Sequence, residues 1–221
     1  MKGIIFVSIA VVVVIPLVIA LVVWQRRLAA ARTEALKSIA TRLRAEFRPD
    51  GSPDLAQSLI TLPLCSKRAR GKLSNLLQRF ADDPELAVFD FEYYQSSGQS
   101  GHMVRQTVAC LDLDPMQLPE FILHPESIID RIAVKFGGQD IDFDQYPAFS
   151  LKYRLKSPRE SEIRRAFTPA LISWLEQQPN CHLECTGRRI IRYEGGKQID
   201  PGQIEQFVHD ARECFKRVLP A

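Results

Sequence analysis

The chain has 221 residues, with 29 Lys and Arg against 26 Asp and Glu and only five cysteines. That length suits one membrane segment and one domain large enough to bury a core. The odd, scattered cysteines (Cys65, Cys110, Cys181, Cys185 and Cys214) argue against a secreted disulfide framework.

Gly3 to Trp24 contains no charged side chain. At about 1.5 Å per residue such a run crosses the ~30 Å hydrocarbon layer as a helix. A cleaved signal peptide is the rival reading. Val18-Ile19-Ala20 resembles a cleavage site, but the apolar run continues past it to Trp24, an interfacial aromatic followed by Arg26 and Arg27. An uncleaved, single-pass signal anchor is expected. Lys2 precedes the span, and Arg26, Arg27, Arg32 and Lys37 follow it. The positive-inside bias therefore predicts a cytoplasmic carboxy-terminal domain. The expected division is an anchor over 1–24, a juxtamembrane helix over 25–50 and a cytoplasmic α+β domain over 51–221.

Charge is unevenly spread. Residues 25–80 hold 12 Lys and Arg against four acids, whereas 81–221 hold 16 against 22. An anionic leaflet favours that polarity, basic part nearest the lipid.

From Arg27 to Phe47 the pattern is helical, with Leu36, Ile39, Ala40, Leu43 and Phe47 recurring on one face until Arg48-Pro49-Asp50-Gly51. The stripe is too short for a coiled-coil seam and predicts a stalk packed on its own domain. Lys67, Arg68, Arg70 and Lys72 crowd into six residues. With Arg26 and Arg27 they form a candidate lipid-proximal set, although a solvated loop before a helix over 73–80 fits equally. Nucleic-acid binding would need a broader basic field with interleaved aromatics.

Leu86–Tyr94 and His102–Leu113 read as strands, with turn chemistry over 95–101 between them. Asp90 and Glu92 fall on one face of the first strand, where solvated charge is the ordinary case. Glu120–His124 predicts a short strand, and Pro125 a helix through Phe136 closed by Gly137-Gly138.

Asp140, Asp142 and Asp144 alternate with Ile141 and Phe143. Extended, they put three carboxylates on one face about 6.6 Å apart, a candidate divalent-metal site. Gln145 and Leu151 stand where a calcium loop would need Gly and Glu, so that motif fails. An edge strand or turn with solvated carboxylates is the ordinary alternative.

The stretch Gly138 to Leu155 (GQDIDFDQYPAFSLKYRL), with Val88–Tyr93 and Gln106–Val108, resembles a group of uncharacterised bacterial single-pass membrane proteins with one domain of unknown function. The resemblance implies a bacterial inner-membrane location. It supplies no activity and no catalytic role.

Ala148–Leu155 alternates as a strand. Ser157-Pro158-Arg159-Glu160 combines a capping box with an early proline, and the helix it starts is expected to restart at Thr168-Pro169 and end near Pro179. Cys181, His182 and Cys185 prompt a metal check. On a strand Cys181 and Cys185 lie ~13 Å apart and His182 faces away, so buried apolar cysteines are the better account. Asp200-Pro201 opens a final amphipathic helix carrying Ile204, Phe207, Val208, Ala211, Cys214, Phe215 and Val218.

The expected fold class is α+β: an N-terminal transmembrane helix, then a mainly antiparallel sheet covered by three or four helices. No phosphate loop, nucleophile elbow or HExxH motif occurs. The function expected is a membrane-anchored interaction or adaptor domain. Its partners would be the lipid bilayer and another membrane or cytoplasmic protein, with no cofactor named. The alternative is a membrane-bound, metal-assisted enzyme using Asp140, Asp142 and Asp144.

Overall fold

The structure is a computed structural model and describes residues 2–66, 71–97, 100–126 and 140–219. It is an α+β fold in which a long apolar helix leads into an open antiparallel sheet. Helix α1 (Lys2–Arg42) runs unbroken through Pro16. From Val14 onward it is long and apolar enough to cross a membrane by length and composition, and Val14 to Trp24 lies exposed.

The carboxy-terminal end of α1 behaves differently. Leu36, Ile39 and Ala40 are buried in the main core, as the stripe predicted. The helix stops at Arg42, and the chain turns through Arg44 in a left-handed conformation. Phe47 then lies on a short strand, β1 (Glu46–Arg48), rather than on the helix.

The remaining elements are α2 (Pro53–Ser58), α3 (Pro63–Ser66), β2 (Lys72–Phe80), β3 (Asp83–Ser97), β4 (Ser100–Asp112) and β5 (Phe121–Pro125). Then come α4 (Pro147–Lys152), β6 (Tyr153–Lys156), α5 (Glu160–Ala166), α6 (Pro169–Gln177), β7 (Cys181–Cys185), β8 (Arg189–Glu194) and α7 (Ile204–Val218). A turn of 3-10 helix, Pro201–Gln203, leads into α7. The strands form one sheet in the order β1-β2-β3-β4-β8-β7-β5-β6, every described pair antiparallel.

Both faces of the sheet are covered. Leu86 and Val88 of β3 face the core built with α1, α5, α6 and α7. Ala87, Phe89, Phe91 and Tyr93 face a second core, with Leu59, Leu62 and Leu64 from the α2–α3 segment. Glu184 of β7, fully buried, ties that segment down by accepting hydrogen bonds from Leu64 N–H (2.8 Å) and the Tyr193 hydroxyl (2.7 Å).

Residues 73–80 form strand β2, not the expected helix. Its register shifts twice, between Ser74 and Leu77 and between Gln78 and Phe80, and Asn75 and Arg79 take left-handed backbone angles there. These bulges send Leu73 and Leu76 to one core and Leu77 and Phe80 to the other. An i, i+3, i+4, i+7 apolar spacing results, which imitates a helical stripe. The expected strand over 148–155 is half helix. Pro147 opens α4, Phe149 is buried while Leu151 points outward, and only Tyr153–Lys156 pairs with β5. Pro125 ends strand β5, and the helix expected beyond it lies outside the described residues. The helix after Ser157 begins at Glu160, the serine hydroxyl donating to Glu120 O (2.6 Å) and accepting from Arg159 N–H (3.0 Å). Thr168 caps α6 as expected, its hydroxyl accepting from Leu171 N–H.

Candidate functional site

Arg32 stands four residues before Leu36, on the same stripe by which α1 enters the core. Asp90 occupies the same face of β3 as Val88. Their meeting is enforced from both sides. Arg32 donates to Asp90 through Nε and Nη2 at 2.8 Å each, and through Nη1 to Ile199 O at 2.7 Å. The bulge in β2 presents Asn75, which donates to Asp90 Oδ2 (2.9 Å) and accepts from the Thr33 hydroxyl (2.9 Å). Thr107 on β4 donates to Asp90 Oδ1 (3.1 Å) and accepts from Ile199 N–H (3.0 Å). Asp90 is only 5 % exposed. The solvated strand face expected for it is therefore corrected: four donors satisfy the carboxylate, the condition under which burying it is tolerable. Glu92 does remain partly open and pairs with Arg105.

Arg32, Thr33, Asn75 and Asp90 also line a cavity of about 530 Å³, which extends between Gln25, Leu28 and Ala29 of α1 and residues of β2, β3 and β4. Lys72, Ser74, Asp50, Glu92 and Arg105 contribute its polar wall. That volume is within the range that holds a small ligand or a few side chains. The opposed charges of Lys72 and Arg105 against Asp50 and Glu92 suit a polar or zwitterionic occupant better than a strongly anionic one.

The sequence-derived candidates fall in separate places. Arg26 and Arg27 are exposed on α1 and do not line the cavity, whereas Lys72 does. Lys67, Arg68 and Arg70 lie outside the described residues. Asp140 is half-buried and accepts from Leu155 N–H (2.8 Å), with Arg154 Nε 4.0 Å away. Burial pushes its carboxyl up, against the Leu155 hydrogen bond. Asp142 and Asp144 are exposed, and the Asp142 carbonyl accepts from Arg164 (2.8 Å). Among the described residues no group of three or more His, Cys, Asp or Glu is placed to hold a metal.

Cys181 and Cys185 are fully buried in the main core, and His182 is stacked on Tyr193 with centroids 4.6 Å apart. The sequence did not reveal that Cys181 meets Cys214 of α7. The hydrogen bond from Cys214 holds the Cys181 thiol below its ordinary range, opposed by burial and reinforced by Arg192. Burial pushes Cys214 the other way. Arg192 is itself buried, its guanidinium 5.1 Å over Phe207 and 6.0 Å over Trp174, and among the described residues neither Nε nor Nη1 has a hydrogen-bond partner.

No protein-family model and no curated protein matches the chain. Among solved structures, the fold is similar to that of the mycobacterial trehalose monomycolate transport factor A, TtfA, with a TM-score of 0.59 and 15% identity. The match covers 85% of this chain and 96% of that one. At that identity the likeness establishes a shared fold.

Proposed function

We propose that this protein is a bacterial inner-membrane adaptor, anchored by a single uncleaved helix and presenting its domain to the cytoplasm. The observation that carries the reading is the Arg32–Asp90 staple. A simple tether needs no fixed relation between anchor and domain. Here a buried ion pair with Asn75, Thr107 and Ile199 around it fixes the domain against α1 a few residues past the apolar run. Such rigidity is useful where one face must meet a partner at a set height and angle above the bilayer, since pre-orientation lowers the entropy lost on association. The similarity to a named transport factor supports a role beside a membrane transport process; the cargo in that factor's name is not carried over.

In this reading residues 1–24 are the anchor, 25–50 the juxtamembrane segment docked on the domain, and 51–221 the rest of the domain. Arg26, Arg27, Lys67, Arg68, Arg70 and Lys72 lie beside lipid headgroups, and the excess of positive residues after the span sets the cytoplasmic side. The partner is a membrane or cytoplasmic protein engaged at the cavity beside α1.

Protease treatment of spheroplasts tests the topology: the domain should resist digestion until the membrane is opened. Digestion from outside would overturn the orientation, and release of soluble protein cut near Ala20 would overturn the anchor. A photo-cross-linking residue at Ser74, on the cavity wall, tests the adaptor role against the same residue at exposed Leu151. Protein adducts confined to position 74 are expected. Adducts to lipid alone at position 74 would sink the adaptor reading.

A further inference from the structure

The β3–β4 hairpin continues past the staple on the same side of the sheet as α1. Helix and strand run antiparallel. Arg44 just past α1 pairs with Asp82 just before β3, and Arg32 pairs with Asp90 further along. Following α1 back toward its apolar segment therefore follows β3 toward the hairpin end. From Arg32 to Trp24 the helix rises about 12 Å, and from Asp90 to Tyr94 the strand rises about 13 Å. With helix and strand side by side, equal rises from the staple put Tyr94 at about the height of Trp24, the aromatic that closes the apolar run.

The chemistry at that level is suited to lipid. Tyr94 and Met103 are directly opposed across the two strands, on the face that carries Asp90, and both are well exposed, at 61% and 46%. The Tyr94 ring lies across Gly101, where a Cβ would come within 2.3 Å of its hydroxyl oxygen, so the phenol is aimed along the hairpin away from the domain. Tyrosine, with an apolar ring and a polar tip, is the residue favoured at the headgroup level. From Tyr93 to Val104 the sequence holds no Asp, Glu, Lys or Arg, in a chain where a quarter of residues are charged, and its polar residues are the neutral Ser and Gln with His102, so no fixed charge need be stripped of water for this hairpin to enter a headgroup layer.

We propose that the Tyr94–Met103 pair is a second membrane contact, resting in the headgroup layer of the leaflet that α1 leaves. This rests on α1 spanning the bilayer. Together the helix and the hairpin give the domain two points of support. A domain so held can neither rotate about the helix nor tilt away from the membrane.

The test uses the full-length protein in phosphatidylethanolamine–phosphatidylglycerol vesicles doped with a lipid that carries a nitroxide on its headgroup. An environment-sensitive fluorophore is attached at Met103→Cys and, separately, at Tyr94→Cys. Trp24→Cys serves as the interfacial reference and Leu151→Cys as the solvent reference; the unsubstituted chain, whose five cysteines are buried, gives the labelling background. The expected result is loss of most of the fluorescence at 103 and 94, as at 24, with no loss at 151. If either hairpin label stays as bright as the one at 151 while 24 is quenched, the hairpin contact is overturned and the anchor stands. If the label at 24 is unquenched, the anchor itself fails and the proposal with it.

Discussion

Arg32 on α1 donates two parallel hydrogen bonds to Asp90 on β3, Nε to Oδ2 and Nη2 to Oδ1, each 2.8 Å. The side chains are 13% and 6% exposed. Removing one partner of such a pair leaves the other charge buried, and typically costs about 3–5 kcal/mol. Arg32→Ala and Asp90→Ala are each expected to destabilise by that order. The double variant should lose clearly less than the sum, because it leaves no orphaned ion. Urea unfolding of the detergent-solubilised chain measures this, and strict additivity would mean that the pair does not act as a unit.

Gly51 marks a second constraint beside the cavity. Its φ is +77°, and a Cβ there would lie 2.8 Å from the Leu73 carbonyl oxygen and 2.5 Å from its Cδ2. Backbone cannot move aside as a flexible side chain does. Gly51→Ala combines left-handed strain with that clash and should cost on the order of 1–3 kcal/mol. It should also pull β2 away from the loop, weakening the hydrogen bond that Asn75 N–H makes to Pro49 O (2.8 Å). Faster amide exchange at Asn75 is the specific sign; a global loss of stability without it would leave this local account unsupported.

Much of this was legible in the sequence where one periodicity persists undisturbed. The stripe of α1 from Leu36 to Ala40, the β3–β4 pair and the face of α7 were all readable in that way. Strand β2 was not, because two bulges convert its alternation into a helical spacing. Asp90 was not, because a charge on a strand looks solvated until its partner is known, and Arg32 is 58 residues away. A signal existed nonetheless: Arg32 sits on the helix's apolar stripe, and Asp90 sits between Phe89 and Phe91. Cys181 and Cys214 likewise meet only through tertiary packing.

The acidic segment tests the enzyme alternative. Asp140 is engaged by Leu155 N–H, while Asp142 and Asp144 point into solvent. Three carboxylates so arranged give a cation little more than a weak, screened attraction. Calorimetric titration of the chain with Mg²⁺, Mn²⁺, Ca²⁺ and Zn²⁺ is expected to show no micromolar binding that depends on Asp142. Tight binding lost in Asp142→Ala, with the fold intact, would revive metal-assisted chemistry there.

Alkaline pH should weaken the domain. Burial pushes Cys110 and Cys185 from an ordinary 9.0 up to about 12. The folded state therefore favours the neutral thiols. Their contribution is fully present below pH 9 and is lost as pH rises from 9 toward 12. Each thiol adds a slope of up to ~1.4 kcal/mol per pH unit in that window. Urea midpoints should fall steeply above pH 9 and less steeply in Cys110→Ala. An identical slope in the variant would remove Cys110 from the account.

Arg192 gives the sharpest test of the core. It is 2% exposed, lies over Phe207 and Trp174, and leaves Nε and Nη1 without hydrogen-bond partners among the described residues. A buried cation so placed carries a desolvation penalty that aromatic faces offset only in part. Methionine keeps much of the volume and removes the charge, so Arg192→Met should leave stability unchanged or raise it by on the order of 1–4 kcal/mol. The same change removes one of the influences that hold Cys181 low. Thiol reactivity followed against pH should then show Cys181 titrating higher in the variant. A marked loss of stability, with Cys181 unmoved, would mean that Arg192 acts through contacts other than these and that its charge is not what tunes the thiol.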